Sequence, residues 1–351
     1  MNAPFKDIVR AATELTRAGK PAEATCLLQQ ALRPHGSETP AAGPPRARLP
    51  LGETIARLRS LRPGKAGPAR RPAPTGDPRF TQEYFAGPAG ARPYKLYRPA
   101  RPARALVVML HGCSQDPDDF AAGTGMNALA EAHGLVIVYP QQLAAANQAA
   151  CWNWFQPSDQ GPGRGEPAIL AGIVEQARTR HAVAADRVFV AGLSAGGAMA
   201  AILGTAYPEL ISAVGVHSGL PVGAASDVAS AFAAMRNGPP GHRPPAGAVR
   251  TIVFHGSADT TVHPVNGAQV ARDALAALGA VGTEATISGR APGGRGFTRR
   301  VVHDRDGRPA VEHWQIDGAG HAWSGGDGAG SFTDPAGPDA SAEMVRFFLA
   351  D

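Results

Sequence analysis

A chain of 351 residues, 44% hydrophobic and 18% charged, is long enough for one large core plus an additional segment, because single cores stop growing at roughly 250 to 300 residues. It holds no apolar run near the ~20 residues that a membrane-spanning helix requires, and its three cysteines exclude a disulfide framework while leaving room for one pair. The net charge of +5 is unevenly spread: residues 1–75 hold 13 Lys/Arg against 5 Asp/Glu and the rest 21 against 24, so a solvated basic arm precedes a mildly acidic body, and with no aromatics interleaved to stack on bases it argues against nucleic-acid binding.

Met1-Asn2-Ala3-Pro4-Phe5-Lys6-Asp7 reaches an acidic residue before the apolar stretch of a signal peptide could form. As written, the chain is therefore expected to be cytoplasmic, or secreted if the true start lies upstream. Residues 5–32 read as two short helices broken at Gly19-Lys20-Pro21, with Ile8, Val9, Ala12 and Leu15 on one face and Ala24, Leu27, Leu28 and Leu32 on the next. The pattern looks like a single tetratricopeptide-type hairpin. One copy has no neighbour to bury its face, so it is expected to dock on the main domain or on a second subunit. The expected division is a helical hairpin over 1–35, a Pro/Gly/Arg-rich linker over 36–78 with one helical stretch at Glu53–Leu61, and a main domain over 79–351.

From Arg79 onward strands alternate with helices. Leu106–Leu110, Leu135–Tyr139, Arg187–Gly192, Ala213–His217 and Thr251–His255 are short runs rich in Val and Ile, as suits strands covered on both faces. Helices are expected at Met126–His133, Pro167–Arg180, Ala195–Ala206, Val265–Leu278 and Ala340–Leu349. This succession predicts an α/β fold with a mostly parallel sheet and helices on both faces. Tyr94–Arg98, Thr283–Ser288 and Val311–Ile316 would add outer strands.

Gly192-Leu-Ser194-Ala-Gly196 falls between a predicted strand and a predicted helix. That is the context in which G-x-S-x-G makes the strained turn of an α/β-hydrolase, presenting a serine hydroxyl above the sheet. Gly192 and Gly196 stand where side chains would collide. In this fold the order runs serine, acid, histidine. His321, in a glycine-rich loop after a strand, is the expected general base. Asp259, in a loop after a buried strand, is the expected acid that fixes the base's tautomer, with Asp317 as the alternative. His255 and His263 flank the acid and are assigned structural or orienting roles; His303 and His313 read as surface or packing residues. Oxyanion donors are expected from the N–H groups of Ala195, at a helix start, and Cys113, with Ser114 as the near alternative. This chemistry calls for no metal or organic cofactor.

His111-Gly-Cys113-Ser-Gln115, Cys151-Trp-Asn-Trp154-Phe, Gly192-Leu-Ser-Ala-Gly-Gly-Ala-Met199 and Gly320-His-Ala-Trp-Ser-Gly-Gly326 together resemble the catalytic domain of short-chain poly-3-hydroxybutyrate depolymerases and the related LpqC-like feruloyl and acetylxylan esterases. The resemblance covers roughly residues 80–350. It implies serine-esterase chemistry on a polyester or its oligomers, or alternatively on plant polysaccharide esters. It also implies Ser194, Asp259 and His321 as a triad, a disulfide between Cys113 and Cys151, and substrate contacts from Ser114, Trp154 and Trp323, the last lining the acyl pocket. Read as it stands, the chain is expected to lack the signal peptide, linker and C-terminal binding domain of secreted polymer-degrading members. The expectation is an intracellular depolymerase acting on amorphous granules or soluble oligomers, or else a small-ester hydrolase, with the helical hairpin and basic arm as a weak granule tether.

Overall fold

The computed structural model describes residues 77–239, 242, 245–279 and 282–350. The expected hairpin over 1–35 lies outside the described residues, as does the linker apart from its last two positions.

The strands are β1 (Phe80–Gly87), β2 (Gly90–Tyr97), β3 (Ala105–Leu110), β4 (Leu135–Pro140), β5 (Val188–Leu193), β6 (Ala213–His217), β7 (Arg250–Gly256), β8 (Glu284–Arg290), β9 (Gly296–His303), β10 (Pro309–Ile316), β11 (Trp323–Ser324) and β12 (Thr333–Asp334). The helices are α1 (Pro117–Thr124), α2 (Met126–His133), α3 (Gly165–Arg180), α4 (Ala195–Ala206), α5 (Val228–Asn237), α6 (Val265–Leu278) and α7 (Ala340–Leu349). Ten strands form one sheet in the order β1-β2-β4-β3-β5-β6-β7-β10-β9-β8, and β11 pairs with β12 separately. The central six, β4 to β10 in that order, run parallel, and antiparallel pairs extend both edges.

Burial explains which strands are central. Every residue of β3, β4, β5, β6 and β7 is buried, because helices cover both faces and a continuous apolar run loses nothing to water on either side. Leu106, Val108 and Leu110 face a core shared with α3, α4, α5 and α6. Ala105, Val107 and Met109 face a second core shared with α1, α2 and α7, where Phe189 and Phe348 stack at 4.9 Å. Such large side chains each contribute about 1.5–3 kcal/mol on burial. The outermost strands differ: all seven residues of β8 are exposed, and β1 alternates exposed with half-buried residues and has none buried.

The five central strands and five helices expected from the sequence are all present, with ends within two residues. Six elements were not expected: strands β1, β9, β11 and β12 and helices α1 and α5. Strands β1 and β9 carry no continuous apolar run, as strands only partly covered at or next to the sheet's edges need none. Helix α1 does carry signals, since Asp116 caps it by accepting the Asp119 N–H at 2.8 Å and Pro117 opens it. Helix α5 likewise begins at an Asp227–Ser230 capping box and ends before Gly238. Among the described residues, no helix is long and apolar enough to cross a membrane.

Candidate active site

The parallel strands deliver their C-terminal ends to one edge of the sheet, and three loops meet there. Strand β5 ends at Leu193, helix α4 starts at Ala195, and Ser194 between them adopts φ 58° and ψ −119°. The close crossing that permits this turn depends on glycine. A Cβ on Gly196 would lie 2.0 Å from the Leu110 carbonyl oxygen, and one on Gly192 would lie 2.4 Å from the Gly196 backbone.

Asp259 follows β7 and His321 follows β10, and these strands are neighbours in register, Gly256 opposite Ile316. The pairing continues into the loops through Ser257 N–H to the Ile316 carbonyl at 2.9 Å and Ala258 N–H to the Ala319 carbonyl at 3.0 Å. Two side chains 62 residues apart are thereby joined: His321 Nδ1 lies 2.7 Å from Asp259 Oδ2. The other carboxylate oxygen accepts the N–H groups of Thr261 and Val262, each at 2.9 Å. Burial alone would raise the Asp259 carboxyl. Hydrogen bonds from His255 and His321, the charge of His321 and the Val262 N–H outweigh it and hold the group well below the usual carboxylate range. His255 Nε2 sits 2.8 Å from the Val262 carbonyl and 3.4 Å from Asp259, so it braces the acid's loop as its position beside the acid implies. Asp317, the alternative acid, is exposed, and the carboxylate that meets His321 Nδ1 is that of Asp259.

Ser194 and His321 line one cavity of about 420 Å³, together with Cys113, Ser114, Ala195 and Trp154. The Cys113–Cys151 disulfide is present and forms part of the wall. Ser114 cannot be the alternative oxyanion donor, because its N–H is committed to the Ala149 carbonyl at 2.8 Å; it adopts φ 64° and lines the cavity.

The loop carrying Cys113 rests on buried polar groups. His111 Nε2 accepts the Gln142 N–H at 3.1 Å, and the His111 carbonyl accepts Trp152 Nε1–H at 3.0 Å. Gln142 donates to Glu166, whose carboxylate also accepts the Asn153 N–H at 2.7 Å, and Arg92 donates to Gln142 at 2.6 Å. Burial raises the Glu166 carboxyl above its ordinary range, against the hydrogen bonds from Gln142 and Asn153 and the charge of Arg92. From the other side Gln115 accepts the Gly112 N–H at 2.9 Å and donates to Asp119 at 2.9 Å.

Trp323 corrects an expectation. It does not line the cavity: it is 1% exposed, its indole stacks on His217 at 5.1 Å and its Nε1–H donates to Ser341 at 3.0 Å. Its backbone is held in the short β11–β12 pairing, and its ring packs against Phe120 as well as His217 in the core. The apolar wall comes instead from Leu220 and from Val228, Ala231, Phe232 and Met235 of α5, with Phe155 and Phe332 at other positions. Spacing at i, i+3, i+4 and i+7 was a legible sign that those four residues of α5 share a face. Phe332 gives no such sign, standing at the end of a glycine-rich loop.

A mostly parallel sheet with helices on both faces, bearing a serine on a strained turn between β5 and α4, defines an α/β-hydrolase. Residues 93–296 match the family model described as esterase PHB depolymerase, and the chain belongs to that family. It is 31% identical over 260 residues to poly(3-hydroxyalkanoate) depolymerase C of Paucimonas lemoignei, covering 70% of this chain and 61% of that protein. It is 29% identical over 209 residues to the probable acetylxylan esterase A of Aspergillus fumigatus, covering 52% of this chain and 54% of that one. The chain thus spans little more than half the length of these curated relatives. Among solved structures, the acetyl xylan esterase from Aspergillus awamori superposes with a TM-score of 0.60 at 18% identity, covering 77% of this chain and 98% of that one, a likeness of fold.

Proposed function

We propose that this protein hydrolyses carboxylic esters through an acyl-enzyme on Ser194. The observation that carries the reading is the 2.7 Å contact between His321 Nδ1 and Asp259, on a base that shares its cavity with Ser194. With Nδ1–H donated to the carboxylate, Nε2 is left unprotonated to act on the serine. His321 takes the Ser194 hydroxyl proton as Oγ bonds to the ester carbonyl carbon. The oxyanion is stabilised by the N–H groups of Ala195 and Cys113. His321 returns the proton to the departing alcohol oxygen as its bond to the acyl carbon breaks. Water then repeats the sequence, giving the free acid and restoring the serine.

Poly-3-hydroxybutyrate or its oligomers are the proposed substrate. The depolymerase relative and the family model support this, as does an apolar wall from Leu220, Val228, Phe232 and Met235 that suits an uncharged aliphatic acyl group. The basic arm over 1–75 gives the chain a means of resting on an anionic granule surface.

Fluorophosphonate labelling with peptide mapping, followed by assays on amorphous poly-3-hydroxybutyrate and methyl ferulate, tests both levels. Label on Ser194, abolished in Ser194→Ala, supports the mechanism; activity retained in Ser194→Ala excludes it. A preference for ferulate of about a hundredfold, roughly 2.7 kcal/mol in transition-state binding, replaces the polyester by a plant ester.

A further inference from the structure

Phe332 stands at the cavity with 47% of its surface exposed. Its backbone is left-handed, φ 52°, a region that bulky side chains enter only at a cost. Glycine would remove that cost, and the preceding residues Gly325-Gly-Asp-Gly-Ala-Gly330-Ser331 are largely glycine. Position 332 nevertheless carries a ring. Half-exposed, that ring also recovers little of the free energy that a buried phenylalanine contributes to folding.

The backbone here is held from both sides of the site. The Phe332 carbonyl accepts the Trp323 N–H at 2.7 Å, two residues after His321, and Thr333 pairs with Trp323 in β11–β12. Ser331 N–H donates to Asp119 at 2.9 Å, and the Ser331 carbonyl accepts from Gln115 at 3.2 Å, the same Gln115 that holds Gly112. Ser194 and Ser114, on the same cavity, share the positive φ. Strain maintained by its surroundings at a cavity rim points to a side chain retained for what it touches.

We propose that Phe332 is a specificity-determining residue whose ring packs on the part of an ester substrate that continues out of the cavity, favouring chain-like aliphatic oligoesters over single-unit esters. The inference rests on the ester-hydrolase reading above.

The test compares the full chain with Phe332→Gly and Phe332→Tyr on two substrates, p-nitrophenyl acetate and a soluble linear trimer of 3-hydroxybutyrate. Removing the ring while relieving the left-handed backbone should hold or raise Tm. It should also lower kcat/KM for the trimer by about tenfold more than for the acetate, mainly through KM. Tyr, which keeps the ring, should preserve the ratio of the two substrates within about threefold. An unchanged ratio in Phe332→Gly, or a fall in Phe332→Tyr as large as in Phe332→Gly, overturns the proposal. So does a lower Tm with equal losses on both substrates, which marks a packing role. A parent enzyme inactive on both substrates overturns the hydrolase reading itself, whereas one active on the acetate with an unchanged ratio overturns only the role of Phe332.

Discussion

The N–H of Ser194 donates to the carbonyl of His217 at 2.9 Å. The imidazole of the same His217 accepts the Ser324 N–H at 3.0 Å, so the strand beside β5 holds both the serine's turn and the loop that carries His321. His217 is fully buried between Phe254 and Trp323. Burial, reinforced by His255 and His321, pushes its pKa down to about 3, leaving Nε2 free to accept.

His217→Phe keeps the aromatic stack and removes the acceptor. It should cost about 1–3 kcal/mol for the orphaned Ser324 N–H and lower kcat by about tenfold with little change in KM. His217→Gln restores an oxygen at similar reach and should recover part of kcat while losing stacking energy. Urea unfolding and steady-state kinetics on p-nitrophenyl acetate separate the two effects. Equal kcat in the parent and the Phe variant would deny His217 this positioning role.

Asp259→Asn should lower kcat by about 10⁴-fold, because the amide favours the wrong tautomer of His321. The folded-state pKa of Asp259 is depressed below the ordinary aspartate value of 3.8. The stability it contributes is therefore fully present above that value and is lost as pH falls below it toward the folded-state pKa. The urea-midpoint gap between parent and variant should accordingly stay constant from about pH 6 to about pH 5 and narrow as pH falls from about 4 to about 3. A gap constant over that range would show that the carboxylate is not preferentially stabilised in the fold.

The Cys113–Cys151 bridge spans 38 residues and brings the two Cα atoms to 4.2 Å. Replacing both cysteines by serine should cost roughly 2–4 kcal/mol in stability. Cys113 supplies a proposed oxyanion donor, and losing one outright costs about 10²–10³ in kcat. The loop keeps its contacts through His111 and Gln115, so a smaller loss, about tenfold, is expected. Thermal unfolding and kcat before and after reduction of the parent with dithiothreitol check both values.

The sequence made the scaffold legible where burial is two-sided. The Val/Ile runs that became β3 to β7 can be satisfied only between two layers of helix, and Gly192 and Gly196 announce a crossing that tolerates no Cβ. Ser194, Asp259 and His321 could be placed at strand ends from chain order alone. Strands β1 and β9, at and next to the sheet's edges, were illegible because a strand half in water needs no apolar run. Trp323 was misplaced because proximity to His321 along the chain does not determine which way a side chain faces once β11 and β12 pair.

By itself, then, the sequence determined the layered α/β architecture, the strained serine turn and the family, since each depends on local pattern: apolar runs, glycines and the residues next to them. Only the tertiary structure decided that His321 meets Asp259, that His217 links the two halves of the site, and that α5 and Phe332 form its walls. Those relationships join residues far apart in the chain, and they exist only once parallel pairing brings the strand ends together at one edge of the sheet.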